Sequence, residues 1–342
     1  MRSKPSEAKA GAEDATLAIN GEQFEAKPPA PAPYELTQRR GAAALQTETE
    51  DRAEEDVLPP KPVPEPALAT PTTARPAAAR TTGAEVQALV QVAEEKLQGN
   101  DPVAARRLFN DALRHPQATE ADRRSIRSQM SAINEDLVFS PRLLPGDPLV
   151  ERYVIQSGDR LSDLATELGL ATDYRFIARV NRLSSADRIS VGQTMKLVRG
   201  PFHAIVDKSE FRMDLYAGPG ENPGDWIYIT SRPVGLGESG ATPTGVFVVR
   251  RESKLINPVW TNPRTGEMYD ADDPDNPIGE RWIGLRGLAD AAAFAGYGIH
   301  GTIEPESIGQ ERSMGCVRML AEDVELVYEM LAEDVSYVHI VP

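Results

Sequence analysis

The sequence contains a single cysteine, Cys316, so no intramolecular disulfide can staple it. Its four histidines, His115, His203, His300 and His339, are scattered and offer no paired ligand spacing. Neither a metal site nor a resident cofactor is expected. Basic residues are in deficit, 37 Lys plus Arg against 52 Asp plus Glu for a net charge of −15, so no global positive field gathers phosphates and no nucleic-acid partner is expected. A run of about 18 apolar residues is also missing, which excludes a transmembrane helix from this chain. The opening stretch, Met1 to Ala10, lacks the apolar h-region of ~7–15 residues that a secretory signal needs. The expectation is either a cytosolic protein or a start that omits an export segment.

What is present falls into four parts. The length, 342 residues, is enough for about two domains with real cores, at one per ~150 residues. Residues 1–83 are Pro/Ala-rich, densest in proline from Pro59 to Pro76, and hold only Phe24 and Tyr34 as aromatics. Such a segment buries too little apolar surface to offset its ordering entropy, and a disordered tether is expected. Over 84–140 the period becomes helical. Val86, Leu89, Val90, Ala93 and Leu97 form one stripe ending before Gly99; Asp101 and Pro102 start a second helix, and Thr119 caps a third bearing Ile126, Met130, Ile133 and Leu137. The pattern resembles a single tetratricopeptide-like unit, and one repeat is fewer than an array needs. A packing or protein-contact module is expected.

Residues 150–199 read as strand, helix, helix, strand, with a Gly158-Asp159 turn and a first stripe of Leu161, Leu164, Ala165 and Leu168 ended by Gly169. Tyr153-Val154, Gly158-Asp159, Leu161, Asn181 and Ile189 to Gln193 resemble a lysin motif (LysM), the small βααβ module that binds N-acetylglucosamine-containing glycans. The resemblance implies glycan contacts at Gly158, Asp159, Arg160 and Asn181. Arg160 stands where threonine or serine is commoner.

From 201 to 342 the alternation has period two, as in Phe211, Met213 and Leu215, and a mainly β domain is expected. Its informative stretch runs from Tyr297 to Met319. A free cysteine is only slightly ionised at neutral pH, so a nucleophilic Cys316 needs a base or a positive charge nearby. His300 is the candidate base. Gly315 leaves room for an oxyanion pocket built on the amide of Cys316 and its neighbour, and Arg318 is placed to hold a substrate carboxylate or to favour the thiolate. A lone cysteine is usually a small buried hydrophobe and a lone histidine a bonded core residue. Their coincidence here with SxGC and arginine favours the nucleophile.

This pattern resembles the L,D-transpeptidase signature, HG, a spacer, then S-x-G-C-[IV]-R. Gly235 with Thr242 to Gly245, Asn257 to Trp260 and Asn276 to Gly279 resemble further segments of that family. The resemblance implies a cysteine-dependent acyltransferase: Cys316 attacks the bond between the L-centre of a stem-peptide diamino acid and the following D-alanine, and an amine resolves the thioester. It assigns His300 as proton carrier, the Gly301 carbonyl as its orienter, and Ser313, Gly315 and Arg318 to the pocket wall. Trp260 and Trp282 are both candidates to line the donor cleft beneath the following acidic loop, with core packing an equal alternative for Trp282. Many members carry a second histidine where this chain has Met314, which removes any contact that group makes. The acidic run Asp270 to Asp275 lacks the glycine and glutamate of a calcium loop and reads as a solvated loop, while His203 and His339 read as structural. The segment 251–281 is longer than an idle loop and is expected to be a functional cover.

The expected fold is therefore multidomain: a disordered tether, an α-helical module, a βααβ glycan binder and a β-sandwich-like catalytic domain. The expected partners are peptidoglycan stem peptides and glycan strands, and the family resemblance implies an extracytoplasmic location, in the periplasm or cell wall. An L,D-carboxypeptidase using water, and a non-catalytic wall-binding scaffold, are the alternatives.

Overall fold

Three helices open the described part of the chain, residues 83–342 of a computed structural model. The tether expected over 1–83 lies outside these residues apart from Gly83. The helices are α1 (Ala84–Gln98), α2 (Pro102–Arg114) and α3 (Glu120–Leu137). Their starts follow from local chemistry. The Asp101 carboxylate accepts the Ala104 N–H at 3.1 Å just ahead of Pro102. Thr119 and Asp122 cap each other reciprocally, at 3.0 and 3.1 Å, a device that stabilises by about 1 kcal/mol. The buried stripe includes Val86, Ala105, Phe109, Ile126 and Met130.

Next come β1 (Val150–Val154), α4 (Leu161–Glu167), α5 (Tyr174–Val180) and β2 (Thr194–Val198). The two strands pair antiparallel, Val150 opposite Val198, over a small core that includes Leu161, Leu164, Ile177 and Leu197.

The remainder is built on one mixed eight-stranded sheet. Its strands are β3 (Phe202–Asp207), β4 (Arg212–Ala217), β5 (Ile227–Pro233), β7 (Gly245–Ile256), β10 (Arg281–Gly287), β11 (Gly298–His300), β13 (Val317–Arg318) and β14 (Tyr337–Val341). The order is β13-β11-β10-β7-β14-β3-β4-β5. Two ribbons flank it, β6 (Leu236–Gly237) with β12 (Glu311–Ser313), and β8 (Trp260–Thr261) with β9 (Met268–Tyr269). The sandwich-like expectation is corrected here. After helix α6 (Ala321–Met330), β14 enters the middle of the sheet, parallel to β3 and antiparallel to β7, and knits the strands on either side into one continuous layer.

Strand β5 ends this sheet and would expose unpaired backbone groups. The helices close that edge. Asn110 donates to the Trp226 carbonyl at 3.2 Å and accepts from the Tyr228 N–H at 3.0 Å, as a neighbouring peptide group would. Asn134 donates to the carbonyls of Tyr228 and Ile229, at 3.1 and 2.9 Å. One apolar cluster then runs from α1–α3 through Phe176, Val180 and Val198 to Phe202, Leu215 and Phe247. Buried Lys196 reinforces the junction by donating to the carbonyls of Leu137 and Ser140 at 2.6 and 2.8 Å. Burial pushes its pKa down to about 8 against the pull of Asp147 and Asp136.

Candidate active site

The site is assembled by strand register. β11 and β13 run parallel, with Ile299 opposite Val317 and His300 opposite Arg318. Continuing that register places Cys316 beside Gly298, and the two-residue period puts Gly298, His300, Cys316 and Arg318 on one face. Side chains diagonal to each other on a sheet have Cβ atoms ~7–8 Å apart. Gly298 itself places no side chain between Cys316 and His300. Trp282 occupies that space from the other neighbouring strand: it pairs with His300, and its ring stacks on the imidazole at 5.9 Å and 17°. A Cβ on Gly298 would lie 2.7 Å from the same indole.

His300 is buried, and its Nδ1 bonds the Gly301 carbonyl at 2.6 Å. In the neutral ring that carbonyl requires Nδ1 to carry the proton, which leaves Nε2 as the free base. Burial pushes the His300 pKa down to about 4, with the Gly301 bond opposing and Arg318 adding to the shift. Half-buried Cys316 faces the Gly296 carbonyl with its sulfur at 3.9 Å. Burial raises its thiol to about 11, against the Gly298 backbone hydrogen bond and the Arg318 charge. At neutral pH the resting pair is thus thiol and neutral imidazole.

The loop before Cys316 is held by its own atoms. The Ser313 hydroxyl donates to the Cys316 carbonyl at 2.6 Å and accepts the Gly315 N–H at 3.0 Å. Gly315 has φ +131°, and a Cβ there would meet the Tyr297 ring at 2.6 Å. Ser313 and Gly315, expected in the pocket wall, are both buried and shape this loop. Trp260 is half-buried and meets Tyr269 at 5.9 Å within the β8–β9 ribbon. The tryptophan beside the histidine is Trp282. Arg318 donates to Glu304 at 2.8 Å, and its Nε is buried without a partner. Glu304 and Tyr297 lack any sequence signal of their own, because strand register and loop closure bring them in.

The segment expected as a cover begins later than 251, since β7 continues to Ile256. Its base is tied by the Asn257 N–H to the Glu280 carbonyl at 2.8 Å, and Arg264 near its tip pairs with Glu238. Gly279 leans on Gly301, 3.2 Å from Cα for an added Cβ. Between this segment and α6 lies a cleft of about 730 Å³ that reaches Gly301 and Thr302.

On the βααβ module, Gly158 turns with φ +97° and Asp159 accepts the Gln156 N–H at 2.7 Å. Asp159 and Arg160 border a groove of about 1050 Å³ with Tyr174 and Ser185. Asn181 has its amide tied within the module: it donates to the carbonyls of Ile177 and Lys196 and accepts the Lys196 N–H, all within 2.7–2.8 Å. Among the described residues, no cluster of three or more His, Cys, Asp or Glu is arranged to hold a metal ion, and no helix is long and apolar enough to cross a membrane.

Comparison with known proteins bears on this arrangement. Residues 201–340 match the family model of the L,D-transpeptidase catalytic domain, and residues 153–198 that of the LysM domain. The Bacillus subtilis (strain 168) protein YqjB, named as an L,D-transpeptidase, is 38% identical over 92 residues, covering 26% of this chain and 47% of its own. The Escherichia coli (strain K12) proteins called Probable L,D-transpeptidase YcfS and Probable L,D-transpeptidase ErfK/SrfK are 32% and 29% identical. The matches cover 37% and 53% of this chain. The chain spans about half the length of these relatives, between 40% and 55%. Among solved structures, an L,D-transpeptidase from Mycobacterium smegmatis aligns with TM-score 0.30 at 15% identity, over 45% of this chain and 65% of its own.

Proposed function

We propose that this chain, which carries an L,D-transpeptidase catalytic domain behind a LysM domain, cross-links peptidoglycan stem peptides through a thioester on Cys316 and acts outside the cytoplasm. The observation that supports this most directly is the juxtaposition on one sheet face of a thiol and a histidine whose free nitrogen is Nε2. His300 Nε2 takes the Cys316 proton as sulfur attacks the carbonyl carbon between the third residue of a donor stem and its D-alanine. The same nitrogen delivers that proton to the departing D-alanine amine. The acceptor amine of a second stem then attacks the thioester, gives its proton to Nε2, and sulfur recovers it. Gly301 holds the ring in the required tautomer. Gly158, Asp159 and Arg160 are the proposed glycan-side contacts, and Arg318 the carboxylate-side one.

Incubation with tetrapeptide-bearing muropeptides is expected to release D-alanine and yield dimers joined between third residues. Tripeptide monomers alone would instead assign the chain to L,D-carboxypeptidation, and no release of D-alanine would leave a wall-binding scaffold.

A further inference from the structure

Trp282 holds a place that the acyl-transfer steps above do not use. It stands opposite His300 in the β10–β11 pairing, and its indole lies nearly parallel to the imidazole, 17° between planes with centroids 5.9 Å apart. The rest of the indole reaches across the two strands over a bed of glycine. A Cβ on Gly298 would lie 2.7 Å from the indole Cζ2 and Cη2. One on Gly284, the partner of Gly298 across the pairing, would lie 3.2 Å from Nε1. Two neighbouring strands thus leave out their side chains where this one ring lies.

The imidazole has one polar restraint, the 2.6 Å bond between Nδ1 and the Gly301 carbonyl. That bond fixes the tautomer, but the terminal torsion of a histidine is broad, and a contact on the ring face is needed to fix its plane. The indole supplies that contact. It also bears on water: His300 is 4% exposed beside a half-buried Trp282, so part of the cover over the imidazole is this ring. The ionisable groups facing the imidazole come from β13, as Cys316 and Arg318, and from the loop after β11, as the Arg318 partner Glu304. Strand β10 faces it with the uncharged indole, and α6 meets Gly301 with the apolar Val324. An aromatic face attracts a cation, so the indole alone would favour an imidazolium. The neutral base is kept by burial, which dominates the His300 shift.

We propose that Trp282 is a positioning residue for the transfer: its indole fixes the plane of the His300 ring and keeps water from it, and takes no part in holding the donor. The inference rests on the acyl-transfer function proposed above and deepens it.

The test uses the full chain with Trp282→Leu and Trp282→Phe. Turnover is read as kcat and KM for D-alanine release from tetrapeptide muropeptides across a range of pH. The ring is read by NMR with labelled histidine, where the four histidines give four signals and His300→Gln identifies one. Trp282→Leu is expected to lower kcat ~10–100-fold at neutral pH with KM little changed, because the base nitrogen loses its aim. The same variant should move the imidazole midpoint from about 4 up towards the ordinary value of ~6.5, and the acid limb of kcat with it, since water again reaches the charged form. Trp282→Phe returns a flat ring to the site and should recover most of kcat. A raised KM with kcat kept would make Trp282 a wall of the donor cleft and overturn the inference. An imidazole midpoint unmoved in Trp282→Leu overturns it as well, and both results leave the transpeptidase reading standing. If Trp282→Leu does not fold, the midpoint in Trp282→Phe decides: a rise upholds the role and no change overturns it. No D-alanine release from the parent chain overturns the transpeptidase reading, and this role with it.

Discussion

Arg318 stands opposite His300 in the β11–β13 pairing, yet its guanidinium is engaged by Glu304, 2.8 Å away. Arg318 is mostly buried whereas Glu304 is half-exposed, 15% against 53% for the side chains. The carboxylate is therefore the partner that a ligand can displace. An ion pair with one exposed member contributes ~0.2–1 kcal/mol, which is up to about fivefold in affinity. Glu304→Gln is expected to lower the donor KM by up to about that factor with kcat little changed, because a substrate carboxylate no longer competes with an internal one. Steady-state D-alanine release checks this; a raised KM would place Glu304 itself among the substrate contacts.

The local parts of this architecture were legible in the sequence. Asp101 and Thr119 mark helix starts because a cap needs only its own turn, and His300, Cys316 and Arg318 meet because one parallel strand pair joins them. Other parts depend on distant register. Trp260 and Trp282 look alike in a sequence, and only the pairing of β10 with β11 puts Trp282 on His300. Asn110 and Asn134 interrupt apolar stripes and read as polar blemishes until an open sheet edge is set against them. Ser313 reads as a pocket wall in the signature, and only the folded loop shows its hydroxyl bonded to the Cys316 carbonyl and the Gly315 N–H.

The pH dependence follows from the two shifted groups of the site. His300, with a pKa of about 4, stays a neutral base well below the usual histidine range, and Cys316, raised to about 11, stays a thiol at neutrality. Acylation of Cys316 by a carbapenem, whose strained amide an activated thiol opens, is expected to be flat from about pH 5 to 9 and to fall as pH approaches 4. Intact-protein mass spectrometry gives the rate. A midpoint near 6.5 would mean that His300 is not buried as a neutral base. Cys316→Ser should abolish the adduct, and His300→Gln should slow it by ~10²–10⁴-fold.

The same histidine shift carries a stability consequence. His203, like His300, is buried and held near 4, mainly by burial; its Nε2 donates to the Gly218 carbonyl at 2.8 Å and its Nδ1 accepts the Tyr337 N–H at 3.0 Å. Between pH 6.5 and 4 the unfolded chain takes up protons that the folded chain does not, so stability falls as pH falls through that window. The loss is up to about 3 kcal/mol per histidine. Melting temperature against pH should show the decline, and His203→Gln should flatten part of it.

Lys196 offers a test of how firmly the modules are joined. Its two carbonyl partners, on Leu137 and Ser140, have this buried ammonium as donor. Lys196→Met keeps the volume and removes the donor. Orphaning two buried carbonyls costs ~1–3 kcal/mol each, so the melting temperature should drop by roughly 5–15 °C. An unchanged melting temperature would mean that the ammonium contributes nothing net, its desolvation cost having cancelled the two bonds.

Under the proposed acyl transfer, the segment between β7 and β10 is the candidate for controlling the choice between amine and water as acceptor. Water is present at ~55 M and an acceptor stem at millimolar levels at most, so transfer has to win through binding, orientation and exclusion of solvent. The segment is anchored at both ends of its span: Asn257 and Asn276 tie its base, at 2.8 Å to the Glu280 carbonyl and 3.0 Å to the Pro258 carbonyl, while Arg264 pairs with Glu238. Glu238 follows Gly237, whose added Cβ would lie 2.7 Å from the Cα of Gly315, so the tip is moored next to the loop that carries Cys316. Arg264→Ala releases that mooring without touching the base. It is expected to leave carbapenem acylation within about twofold of the original rate while raising the share of tripeptide monomer over cross-linked dimer, since an exposed pair is worth ~0.2–1 kcal/mol. Replacing 262–266 with a two-residue turn should shift products further the same way. Mass spectrometry of the muropeptide products decides the matter: an unchanged dimer-to-tripeptide ratio in both variants would remove the cover from acceptor control.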